Sequence, residues 1–130
     1  MIAIDTNVLV RYLVGDDSKQ AARARQLIEE ELTAEAPGLI GLAAIVELNW
    51  VLVKVYGVQP KVVREIVGEL LIAPQIVIEQ AEIVKRALAL ELPDLADGII
   101  HQSGKAAGCA KTVTFDRRFA RVADVELLRA

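Results

Sequence analysis

Five carboxylates in this chain sit where simple surface polarity does not ask for them. Asp5 follows the apolar run Ile2-Ala3-Ile4 in I-A-I-D-T-N-V-L-V, and Asp116 ends a second such run in T-V-T-F-D. Glu47 is the only charged residue between Glu35 and Lys54, inside L-A-A-I-V-E-L-N-W-V-L-V. Asp94 and Asp97 are spaced i, i+3 in L-P-D-L-A-D-G-I-I-H, so they share a face in the first turn of a helix, where the dipole favours negative charge. Three have a plainer explanation: a helix cap for Asp5 and Asp94, a side chain reaching solvent from a helix end for Glu47. A second strand that ends in an acid, Asp116, as the first does shifts Asp5 from a cap to a site. An ionised Glu47 in so apolar a helix is costly without a cation or donors. His101, four residues beyond Asp97, reads as a packed or surface histidine, because a hard oxygen-rich site has no need of imidazole.

Carboxylates converging on one crevice repel one another if all are ionised. A divalent cation with oxygen ligands, Mg²⁺ or Mn²⁺, resolves that conflict while keeping water positions open. Such an ion activates water and neutralises charge developing on a phosphoryl group. No Ser–His or Cys–His pairing stands out, so metal-assisted hydrolysis of a phosphodiester is the leading chemistry. Beside Asp116, the run D-R-R-F-A-R supplies Arg117, Arg118 and Arg121, which can hold a nucleic-acid backbone or form a solvated face. Two other motifs fail. S-G-K-A-A-G lacks the Gly five residues before Gly104 and the hydroxyl after Lys105 that a phosphate-binding loop requires. An aspartyl-phosphate pattern wants a second Asp two residues after Asp5, and that residue is Asn7.

The elements that must position these residues are short. Apolar strands are expected at Ile2–Ile4, Leu39–Leu42, Ile76–Ile78 and Thr112–Phe115, with an edge strand at Val125–Leu128. Between them lie helical patterns: Val8–Val14, a segment capped by Asp17 or Ser18, Ala43–Tyr56, Pro60 to about Ile72, Glu79 to about Leu90, and one opened by Pro93-Asp94. Strands alternating with helices imply a parallel sheet covered on both faces, a three-layer α/β/α sandwich of the α/β class. In such sheets ligands gather outside the carboxyl ends of the strands, where Asp5 and Asp116 fall. Thr6 and Asn7 can bond backbone groups at the start of the first helix, or fix the Asp5 carboxylate.

With 130 residues and no linker or repeat, a single domain over 1–130 is expected. Apolar residues make up 54% and aromatics 4%, so the core must be aliphatic. The net charge of -3 by itself predicts no nucleic-acid binding, but residues 101–130 hold 6 basic and 3 acidic side chains on an otherwise acidic chain. A lone cysteine, Cys109, excludes an intrachain disulfide and reads as buried packing in a reducing compartment. No signal peptide is indicated, and the longest uncharged stretch, Ala36–Val46, is too short for a bilayer, so a cytoplasmic chain with no membrane partner is expected.

Taken together, I-A-I-D-T-N-V-L-V, the mid-chain Glu in an apolar helix, D-L-A-D-G-I-I and V-T-F-D-R-R-F resemble the PIN domain over nearly the whole chain. Length, single-domain character and the N-terminal start resemble its VapC-type branch, the toxins of toxin–antitoxin pairs. The resemblance implies a Mg²⁺- or Mn²⁺-dependent ribonuclease with its acidic quartet at Asp5, Glu47, Asp97 and Asp116. It also implies polar supports at Thr6, Asn7 and Thr114, with Asp94 as an accessory acid. It further implies an RNA substrate, a homodimer and inhibition by a cognate antitoxin. One departure is Gly98, where the family more often has alanine, an exchange expected to loosen the helix by roughly 1 kcal/mol. The alternative is a catalytically silent module of the same fold that binds RNA or a protein.

Overall fold

Glycine, proline and short polar caps set the element boundaries in the computed structural model, which describes residues 1–130. After β1 (Ile2–Ala3), Asp5 caps α1 (Thr6–Val14), and Gly15 ends that helix at φ 71°, a left-handed conformation that glycine adopts freely. Asp17 caps α2 (Ser18–Arg25) by accepting from the Gln20 N–H, and the helix widens into a π-helical stretch at Gln26–Glu31. β2 (Gly38–Ile40) leads into α3 (Leu42–Trp50), which also widens into a π-helical stretch, Val51–Val55. Pro60 occupies the first turn of α4 (Pro60–Ile72), where its missing N–H costs nothing. Then follow β3 (Ile76–Ile78), α5 (Ala81–Ala89), α6 (Leu95–Ala106) and β4 (Thr112–Thr114). A 3₁₀ turn (Phe119–Arg121) and β5 (Val125–Leu127) close the chain.

All strand pairs are parallel, as expected for an α/β/α sandwich, but the hydrogen bonds form two ladders: β1-β2-β3 and β4-β5. The short parallel sheet expected from the sequence is thus present as two ladders. β1 is only two residues long, and the next N–H, from Ile4, already donates to Leu39 on the β2 side at 2.8 Å. The second ladder is instead fixed to α6. The buried His101 places Nδ1 2.7 Å from Thr112 Oγ1, and its ring meets Phe119 edge-on at 6.3 Å.

Leu9, Ile40, Ile45, Leu48, Leu52, Val63, Val67 and Val84 are fully buried and form the centre of an aliphatic core. α6 can lie close on α5 because Gly98 has no side chain: a Cβ there would sit 3.1 Å from both the Ala87 Cβ and the Ala87 carbonyl oxygen. The helix-weakening glycine therefore serves a close approach between helices. Cys109 is exposed, which corrects its reading as core packing; it lies beyond the end of α6 among exposed residues. No helix is long and apolar enough to cross a membrane.

Candidate active site

Three strands hand the chain to an acid: Asp5 two residues after β1, Glu79 directly after β3, and Asp116 two residues after β4. In each case a carboxylate oxygen accepts a backbone N–H, local for Asp5 and Asp116 and across the fold for Glu79. Asp5 Oδ1 accepts the Thr6 N–H at 2.7 Å. Glu79 Oε1 accepts the N–H of Leu42, the first residue of α3, at 2.9 Å. The Asp116 N–H donates to Thr114 Oγ1 at 3.0 Å, while Asp116 Oδ1 accepts from Arg118 and Phe119 N–H at 2.8 and 3.1 Å. These bonds aim the Asp5 and Asp116 side chains and leave Oδ2 of each without a partner in the chain. Thr114 is thus a support for Asp116. The group that fixes Asp5 is the backbone of Thr6; its buried side chain and the exposed Asn7 do not bond that carboxylate.

Asp94 caps α6, its Oδ1 accepting the Ala96 N–H at 3.0 Å and the buried Asn49 Nδ2 at 2.9 Å. One turn on, Asp97 is half-buried, makes no side-chain hydrogen bond, and faces Asp94 and Asp116 across a crevice of ≈360 Å³ that Pro93, Arg118 and Phe119 help to wall. Its carboxyl is raised above the ordinary aspartate value, first by burial and then by the negative charges of Asp94 and Asp116. Like charges are therefore already in electrical contact here.

Glu47 belongs to a different part of the edge. The side chain is exposed, which corrects the expectation of a desolvated carboxylate. α3 and its π-helical extension are apolar but not buried all round, because Ala43, Glu47, Trp50 and Lys54 form one exposed stripe at helical spacing. Glu47 shares a crevice of ≈190 Å³ with Thr6, Asn7, Arg11 and Tyr56. On its other side it meets Ile99 of α6 across an apolar crevice. The structure thus groups Asp94, Asp97 and Asp116 at one crevice, and Glu47 with the start of α1 at another. No three acidic, histidine or cysteine side chains are grouped closely enough to hold one ion between them.

Among the basic residues, Arg117, Arg118 and Arg121 are all exposed and in no ion pair within the chain, and Arg118 stands at the lip of the acidic crevice. His101 is committed to Thr112 and packing. Two residues that sequence reasoning missed support the site. Glu79 repeats the strand-then-acid pattern of Asp5 and Asp116 in I-V-I-E, a signal that was open to view. Asn49, two residues beyond Glu47, is a buried amide whose partner only the fold supplies.

The donor set is oxygen only, rich in negative charge and with free carboxylate lobes on Asp5, Asp94, Asp97 and Asp116, which suits a hard divalent ion by its chemistry. No curated relative matches the chain. A family model described as the PIN domain matches residues 2–125. That match covers nearly the whole chain and places this protein, with its parallel strands, in the PIN domain family, whose members are in general nucleases that use divalent metal ions.

Proposed function

We propose that this chain, acting as one domain over 1–130, is an endoribonuclease that hydrolyses RNA phosphodiester bonds with Mg²⁺ or Mn²⁺. The observation that carries this reading is the gathering of Asp94, Asp97 and Asp116 at one crevice, where burial first and the two neighbouring charges second raise the Asp97 carboxyl and where carboxylate oxygens stay open to a cation. Asp97 and Asp116 would hold the ion together with Asp5, and Glu47 would hold it or orient the attacking water. When bound, such an ion supplies an activated water and offsets charge on the phosphoryl group. The chain's own residues do the rest. Asn49 holds Asp94, Thr114 and two backbone N–H groups aim Asp116, and Arg118 meets a backbone phosphate at the lip of the crevice.

The finer assignment is that of a VapC-type toxin working in the cytoplasm, paired with a cognate antitoxin whose segment covers the acidic edge. A homodimer is supported by the open, almost wholly apolar crevice of ≈590 Å³ along α3 and α6, lined by Leu42, Val46, Trp50 and Ile99. Asp5→Asn tests the catalytic reading, because an amide oxygen can still accept the Thr6 N–H while the charge is lost. The variant is expected to keep its circular dichroism spectrum and lose metal-stimulated cleavage of total RNA; undiminished cleavage would sink the proposal. A second reading, a silent RNA- or protein-binding module, is favoured by the separation of Glu47 from the acidic crevice and the lack of any three grouped ligands. It predicts RNA binding indifferent to Mg²⁺ and chelator, with no products.

A further inference from the structure

Arg11 lies four residues beyond Asn7 on α1, so the two side chains share a helix face. Arg11 helps to wall the crevice that holds Glu47 and Asn7, and also an adjoining groove of ≈480 Å³ between α1 and α2 that adds Gln20 and Arg23. Its guanidinium is held in place. Nε donates to Gln20 Oε1 at 2.7 Å, and Nη1 donates to Asp16 Oδ1 at 3.1 Å. The other Asp16 oxygen, Oδ2, accepts the Tyr56 hydroxyl at 2.6 Å. Asp16 therefore gives only one oxygen to the arginine and spends the second on tyrosine, so it is not a bidentate partner.

A guanidinium carries five N–H donors, and these bonds use two of them. The side chain is 31% exposed, so the remaining donors have access to solvent where the two crevices meet. A fork already fixed by its neighbours loses little further freedom when it grips a planar anionic group. Arg118 lines the crevice that holds Asp94, Asp97 and Asp116, while Arg11 lines the one that holds Glu47. Each of the two crevices that hold candidate acids thus has one arginine in its wall.

We propose that Arg11 is a substrate-binding residue that contacts a backbone phosphate of single-stranded RNA at the crevice of Glu47, with Gln20, Asp16 and Tyr56 as its positioning residues. The assignment rests on the ribonuclease reading for its ligand. It is separable from that reading in its test, because binding is measured without metal. The full chain is titrated in EDTA against a short fluorescein-labelled single-stranded RNA, following anisotropy across a series of KCl concentrations. Arg11→Gln is expected to weaken binding about tenfold at low salt and to lower the slope of log K against log salt by about 0.7, the loss of one single-strand phosphate contact. Arg11→Lys should restore the slope but not the full affinity, because an ammonium keeps the charge without the fixed fork. Tyr56→Phe should weaken binding with the slope retained.

A fall in melting temperature for Arg11→Gln with an unchanged salt slope would overturn the assignment and return Arg11 to a structural or protein-facing role. A lost slope supports it whether or not added Mg²⁺ then gives products, since absent products overturn the nuclease reading alone. Failure of the wild-type chain to bind RNA in EDTA overturns the Arg11 assignment and leaves the nuclease reading to the metal-dependent cleavage assay.

Discussion

At Asp97 the fold works against an ionised carboxyl, through burial first and through Asp94 and Asp116 second. The folded-state value lies above the unfolded one, so this group's contribution to stability is present below the unfolded value, about 3.9 for an aspartate, and is lost as pH rises through the folded value. Asp97→Asn is therefore expected to melt higher than the wild type at neutral pH, with the difference closing as the pH falls towards 3, below the ordinary aspartate range. Thermal melts across that range check it; a variant that melts lower than wild type at neutral pH would contradict the electrostatic account. The same substitution should remove metal-stimulated cleavage, a case of stability yielding to function. Sequence alone made Asp5, Asp94, Asp97 and Asp116 legible, because strand ends and helix starts are local features. Glu47 was legible as an oddity, but its exposure was not, since which stripe of an apolar helix faces solvent depends on its neighbours. The Asn49–Asp94 bond spans 45 residues and could not be read from spacing.

Among the elements, those bounded by residues with fixed backbone preferences matched their sequence reading. Pro60 opens α4 and Ile72 ends it just before Pro74, β3 spans Ile76–Ile78, and Gly15 and Gly57 end their helices at positive φ. Two features that depend on contacts between elements escaped: the break into two ladders, and the close approach of α5 and α6 at Gly98. Taken locally, Gly98 weakens a helix; taken in the fold, it lets the helix carrying Asp94 and Asp97 sit tightly on its neighbour. Gly98→Val is expected to destabilise by about 1–3 kcal/mol, because the added atoms meet the Ala87 backbone and not a flexible side-chain end. Urea unfolding should show this as a lower midpoint at unchanged m-value; an unaltered midpoint would mean the two helices part without cost.

Across the whole molecule, charge and topology agree. The acidic body holds a basic C-terminal region, with 6 basic and 3 acidic side chains in residues 101–130, and that region brings Arg118 to the same crevice as Asp97 and Asp116. Parallel strands put their carboxyl ends on one edge of their own ladder, so β1 and β3 deliver Asp5 and Glu79 to a common edge without any long-range signal in the sequence, and β4 delivers Asp116 from the second ladder. The central claim is that the acids Asp5, Glu47, Asp97 and Asp116 form a metal-dependent site for cutting RNA. The most direct test is an RNA-cleavage assay on the wild-type chain and Asp116→Asn, each with Mg²⁺, with Mn²⁺ and with excess EDTA. The account predicts products from the wild type with either ion, none with EDTA, and none from the variant under any condition. Equal cleavage by the variant, or wild-type cleavage that survives the chelator, would contradict it.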